Sequence, residues 1–212
     1  MIIAIAHQKG GTGKSTVAIN LACALNTDVL DLDSQASCKL FNLIRKKRGV
    51  SQLHCFTVDN NKDLENIMIE YKTTSKMLIV DTGGFDSTLN RLVIVDANIL
   101  ITPVAPSQIE LFGLQKFQSI LEEASITVNK NIKTNVLINN ADPRSKTSIL
   151  KLRQFIERNN KHLNILNSIL SNRVDYRKAY EQGLSVTELN KSSKASNEIL
   201  LFATEVSSKL NI

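Results

Sequence analysis

Apolar runs of strand length alternate along this chain with stretches whose apolar residues recur every three or four positions. Read by period, "IIAIA" (2–6), "DVLDLD" (28–33), "LHCFTV" (53–58), "KMLIVD" (76–81), "ANILITPV" (97–104), "KTNVLINN" (133–140) and "LNILNSILS" (163–171) are predicted strands. Between them, 14–25, 62–71, 107–124, 145–159, 175–183 and 192–210 carry helical spacing. The helix over 107–124 starts at a Ser cap, that over 145–159 follows Pro143, and Gly183 ends the short one over 175–183. Strand and helix in alternation predict an α/β fold in three layers, a mainly parallel central sheet flanked by helices. Ligands of such sheets bind beyond the carboxyl ends of the strands, which is where the polar residues of interest fall. No repeat or Gly/Ser/Pro-rich linker divides the chain, so 1–212 reads as one domain.

Composition changes this picture little, but the placement of charge changes it considerably. The opening residues lack a basic stretch before the apolar run, which His7 interrupts, so neither a leader nor a membrane span is expected and a cytoplasmic protein is implied. Cys23, Cys38 and Cys55 form no CxxC spacing and predict buried or incidental thiols. The net charge is +6. Residues 1–143 hold 14 Lys/Arg against 14 Asp/Glu, 144–178 hold 9 against 2, and 179–212 hold 3 against 4, so the excess lies in one late segment. Its Lys151, Arg153, Arg158, Arg173, Arg177 and Lys178 are candidate contacts to a polyanion, with a solvated helix face as the equal alternative. The shorter "RKKR" (45–48) reads as a solvated helix end, with a contact to nucleic acid as the second choice.

Candidate chemistry begins directly after the first strand. "QKGGTGKST" (8–16) matches a phosphate loop at Gly13, Lys14 and Ser15, with Gln8 where the first glycine of the generic pattern belongs. Gly10, Gly11 and Gly13 let backbone N–H groups turn toward phosphate oxygens, Thr12 and Thr16 complete the loop, Lys14 reaches the β- and γ-phosphates, and Ser15 offers a hydroxyl to Mg²⁺. "MLIVDTGG" (77–84) is an apolar strand ending in Asp81, suited to hold Mg²⁺ through water, followed by Gly83 and Gly84. "DLDSQ" (31–35) brings Asp31 and Asp33 to the same edge.

"KGGTGKST" resembles the deviant Walker A box of the ParA/MinD superfamily of P-loop ATPases, "DLDSQ" its DxDPQ box, and "ANILITPVAPSQIELFGLQKF" (97–117) and "NRVDYRKAYEQGLSVTE" (172–188) two later segments. His7 stands where Asn is usual, Ser34 where Pro is, and Glu110 where a later Asp is. The resemblance implies a P-loop NTPase fold using ATP and Mg²⁺, and a catalytic set of Lys9, Lys14 and Asp33. Lys9 would reach across a nucleotide-bound homodimer to the other chain's phosphates, and Asp33 would position the attacking water. Short partition ATPases of this kind are similar over most of the chain, most strongly over 1–35 and 77–106, implying non-specific DNA binding, nucleoid association, a ParB-type partner that stimulates hydrolysis, and no membrane. A membrane-associated MinD-like ATPase is the alternative. The tail "NEILLFATEVSSKLNI", with Glu198 and Glu205 against Lys209, suits anionic lipid poorly, and the cysteine positions do not suit an iron–sulfur electron carrier. Adenine contacts are expected from the loops after 139 and 173.

Overall fold

The computed structural model describes residues 1–84 and 87–211. Its elements in order are β1 (Ile2–Ile5), α1 (Lys14–Leu25), β2 (Asp28–Asp31), α2 (Ser37–Lys47), β3 (Cys55–Phe56), α3 (Asn61–Thr73), β4 (Leu78–Asp81) and α4 (Thr88–Asp96). There follow β5 (Ile99–Val104), α5 (Gln108–Thr127), β6 (Thr134–Ala141), α6 (Lys146–Arg158), β7 (Leu163–Ser171), α7 (Val174–Glu181), α8 (Val186–Leu189) and α9 (Lys194–Leu210). Among the described residues the strands form one parallel sheet in the order β3-β2-β4-β1-β5-β6-β7.

The period-two alternation of β1 sorts its side chains between two layers. Ile3 and Ile5 pack with Val17 and Leu21 of α1 and with Ile199, Phe202 and Val206 of α9. Ile2 and Ala4 face Leu64 and Met68 of α3 and Phe117 and Leu121 of α5. The inner strands read as unbroken apolar runs because both faces are covered. A third cluster seats α6 on β5 and β6 through Leu152, Ile156, Val104, Val136 and Ile138. In-register pairing sets Ile5 beside Asp81 and Asp81 beside Asp31, so three strand ends line up along one edge.

Several sequence expectations are corrected. The strand expected over 28–33 ends at Asp31, and that over 53–58 shrinks to Cys55–Phe56. α4 and α8 are not expected from the sequence, and of α2 only its end at "RKKR" is. α2 escapes periodicity because its inward face includes the polar Asn42 and Arg45 while Leu40 and Leu43 stay exposed. "TLNRLVIVD" hides α4 because its apolar run has strand length. Ser107 sits at the N-cap of α5 without a side-chain cap bond. "RKKR" is not uniformly solvated: Arg45 is buried, forms a bidentate pair with Glu188 at 2.8 and 2.9 Å, and donates to the carbonyls of Ser51 and Gly183 at 2.6 and 2.9 Å. A Cβ on Gly183, whose φ is +64°, would stand 2.7 Å from the Arg45 nitrogen, so this pair knots α2 to the loop after α7.

Candidate nucleotide site

The phosphate loop leaves β1 and enters α1 through two left-handed glycines, Gly11 (φ +78°) and Gly13 (φ +89°), the latter being the N-cap of α1. Gly13 has a second reason to lack a side chain. An added Cβ would lie 2.5 Å from Asn139 Nδ2, which donates to the Thr12 carbonyl at 2.8 Å. Asn139, at the end of β6, thus clamps the loop from across the sheet. The N-terminus of α1, with its free N–H groups, opens toward the space the loop surrounds.

Lys14 is buried, and its Nζ donates to the Lys9 carbonyl at 3.1 Å. Burial lowers its pKa, while Asp81 and Asp33 oppose that shift and so are its electrostatic neighbours. Asp81 is fully buried, and burial pushes its pKa up to about 7, with Ser15 and Lys14 pulling the other way. Among the described residues the buried Asp81 carboxylate meets no hydrogen-bond donor beyond the nearby Ser15 hydroxyl, and the buried hydroxyl of Thr12 has no partner. Buried polar atoms short of partners, on the phosphate loop and at the end of β4 beside it, suit a ligand that supplies polar contacts of its own. The residues fit Mg²⁺ on a nucleotide: Ser15 and Asp81 would hold it, and the ion supplies neutralisation of charge on the phosphate oxygens.

Asp31 is a structural carboxylate. Its two oxygens accept from the backbone N–H of Asp33 at 3.1 Å and of Cys38 at 2.9 Å, fixing the loop between β2 and α2. Asp33 is half-buried, one of its oxygens accepts from the Gln35 N–H at 2.9 Å, and it is an electrostatic neighbour of Lys14 and Asp81. Gly84 approaches the loop closely: an added Cβ would be 3.0 Å from the Gly10 nitrogen. Lys9, by contrast, points away from the phosphate cradle and pairs with Glu110 on the first turn of α5.

A cavity of about 490 Å³ adjoins the loop, lined by Gly11 to Gly13, Ser15, Thr16, Asn139, Asn140, Ser171 to Arg173, Tyr176, Arg177 and Tyr180. Phosphate contacts at one end and aromatic and amide side chains at the other suit a nucleotide of matching length. The adenine-contact expectation for the loops after 139 and 173 falls on residues of this lining. Tyr176 has a buried hydroxyl without a partner among the described residues; its sequence signal is its place in "NRVDYRKAYEQGLSVTE", the segment that resembles the partition ATPases. Arg173 and Arg177, expected as polyanion contacts, also line the cavity, and Arg173 is committed to Glu198 at 2.6 Å. Lys151, Arg158 and Lys178 are exposed, and Arg153 is half-buried along β7, its Nη2 3.5 Å from the Asn167 carbonyl.

The family model for the CobQ/CobB/MinD/ParA nucleotide binding domain matches residues 3–186. The chain belongs to this family. A relative from Halothiobacillus neapolitanus, maintenance of carboxysome distribution protein A, is 24% identical over 209 residues, covering 96% of this chain and 95% of its own. The septum site-determining protein MinD of Pyrococcus horikoshii, solved with Mg-ADP, superposes with a TM-score of 0.71 at 18% identity, covering 97% of this chain and 95% of that one. A plasmid partition protein of Borrelia burgdorferi bound to AMPPNP gives 0.68 at 18% identity, with 98% of each chain covered. The chain is therefore a ParA/MinD-family ATPase that takes ATP with Mg²⁺, and its sheet and flanking helices are that family's fold. Among the described residues no helix is long and apolar enough to cross a membrane.

Proposed function

We propose that this ATPase is a positioning switch of the partition type. ATP closes two chains face to face, the closed dimer binds DNA without regard to sequence, and a cargo-bound partner protein of ParB type stimulates hydrolysis and release. The observation that carries the reading is the second lysine of the loop. Lys14 is buried and feels the charges of Asp81 and Asp33, while the Lys9 ammonium is turned to Glu110 on α5. A cation beside a phosphate site, but not in it, has a use when a second chain brings its own phosphates within reach. Asp33, at the cradle's rim, positions the water, and Lys151, Arg153, Arg158 and Lys178 supply phosphate contacts to DNA. Against a membrane-targeting role for α9 stands its packing: Ile199, Phe202, Val206 and Leu210 are in the core, and the helix could not bury them in lipid without leaving it.

The cargo has a second reading, because the carboxysome-distribution relative aligns across nearly all of both chains. In that case a protein assembly, not a DNA locus, is moved over the same DNA track. Sizing the protein with Mg-ATP and with Mg-ADP, each with duplex DNA or anionic vesicles, tests the common core of both readings. ATP-dependent dimers that bind DNA and not vesicles are expected, and vesicle binding would instead select the membrane alternative. Neutralising Lys151, Arg153 and Arg158 together should lower the salt slope of DNA binding by about 3 and leave nucleotide binding unchanged. Plasmid loss in cells carrying Lys14→Ala would identify a DNA cargo; retention with mislocalised protein bodies would identify the other.

A further inference from the structure

Lys9 is held at both ends within its own chain. Its backbone N–H donates to His7 Nδ1 at 3.0 Å, and its ammonium pairs with Glu110 on α5. The stem between those ends runs over Gly113, where an added Cβ would meet His7 Cε1 at 3.3 Å and Lys9 Cδ at 3.6 Å. Gln8 Nε2 donates to the Gly113 carbonyl at 3.3 Å, and the His7 ring stacks on Phe117, one turn further along, with centroids 5.6 Å apart. α5 thus forms a fitted seat for this lysine. The seat is also unbalanced without it: Glu110 is mostly buried, its Oε2 has no partner among the described residues, and the departure of Lys9 would strip the other oxygen.

From this geometry we infer that Glu110 is a positioning residue that parks Lys9 in cis, so that opening the Lys9–Glu110 pair is a required step before two chains can close on ATP. The inference rests on the proposed reach of Lys9 to the partner's nucleotide. A contact made in only one of two states shifts the equilibrium by its differential free energy, and here it is made in the open chain and forfeited twice in each dimer. Glu110 therefore sets the ATP concentration at which dimers form, without touching the nucleotide cavity. A purely structural role for the pair would change thermal stability and nothing else.

The test is sedimentation of the full chain across a Mg-ATP titration, with binding of a fluorescent ADP analogue measured in parallel. Glu110→Gln should dimerise at an ATP concentration roughly three- to tenfold lower than wild type, with ADP affinity unchanged. Gly113→Ala, which crowds the stem while keeping the carboxylate, should move the midpoint the same way by less, and carries the test if the first variant does not fold. Lys9→Ala should stay monomeric, and so should Lys9→Ala combined with Glu110→Gln, because Glu110 acts only through Lys9. An unchanged midpoint in both single seat variants overturns the inference, as does dimerisation of the double variant. Dimerisation of Lys9→Ala alone at the wild-type ATP concentration would sink the trans role of Lys9 itself, a failure distinguishable from that of the seat.

Discussion

Two edges of this molecule treat buried charge in opposite ways. At the carboxyl ends of β1 and β4, among the described residues, the buried Asp81 carboxylate has only the Ser15 hydroxyl near it, the Thr12 hydroxyl is buried without a partner, and Lys14 donates to the Lys9 carbonyl. At the rim formed by β7 and α9 each carboxylate is saturated. Glu198 accepts from the Ser171 N–H at 3.0 Å, the Ser171 hydroxyl at 2.8 Å and Arg173 at 2.6 Å. Glu205 accepts from the N–H groups of Asn167 and Ser168 at 2.7 and 2.8 Å and from the Ser168 hydroxyl at 2.6 Å. β7 is the last strand of the sheet, and these carboxylates occupy amides that an incoming strand would otherwise use. The polar surplus at the first edge suits a ligand; the balance at the second is structure. Charge type does not tell the two apart, but its partners do.

The contrast breaks first at Lys14. Lys14→Ala should weaken Mg-ATP binding by roughly a thousandfold, or about 4 kcal/mol, since a buried cation aimed at phosphate is replaced by nothing. Equilibrium titration with a fluorescent nucleotide reads it, and a loss under tenfold would mean that Lys14 does not face the phosphates. Asp81→Asn sharpens the contrast. The Asp81 pKa is raised from the ordinary 3.8 to about 7, so the unfolded chain releases this proton first and the site costs stability increasingly as pH rises from about 4 to 7. The nucleotide-free Asn variant should therefore be the more stable one at pH 8, by up to about 3 kcal/mol, with the gap closing below pH 4, while Mg²⁺-dependent hydrolysis is lost. A melting temperature at pH 8 equal to or below that of wild type would show that Asp81 is not held under strain.

The first edge was readable from sequence and the second was not, for a physical reason. A phosphate loop works through backbone N–H groups, so Gly10 to Ser15 lie consecutively and announce themselves. Asp81 and Asp31 end apolar strands of a parallel sheet, and register alone brings them together. Asn139, Glu110 and Tyr176 reach the same site from far along the chain, and no spacing relates Glu110 to Lys9 or Asn139 to Thr12. The late basic segment misled where it was counted as charge alone: Arg173 belongs to Glu198, and Arg177 lies on the nucleotide cavity. Arg45 misled similarly, because the Glu188 that buries it lies across the fold, in a short helix too small to show a period.

Glu198→Ala is the milder break, made at the saturated edge. Its removal leaves the Ser171 N–H and the Arg173 guanidinium without their acceptor, and both are only partly reachable by water. A loss of about 2 kcal/mol is expected at pH 7, measured by chemical denaturation. Burial by itself would raise the Glu198 pKa, but Arg173 and the Ser171 donors outweigh it and hold the pKa below the ordinary 4.5. A carboxylate with a depressed folded pKa contributes stability above its unfolded pKa and loses it as pH falls through the folded one. The deficit of the variant should therefore be full at neutral pH and shrink below pH 4.5, the reverse of the Asp81 profile. Saturating Mg-ADP should raise the stability of wild type and variant by the same increment, because Arg173, although it lines the cavity, commits its guanidinium to Glu198. A larger increment in wild type would mean that Arg173 is held by Glu198 for the nucleotide's sake, and the boundary between the two edges would have to move to include it.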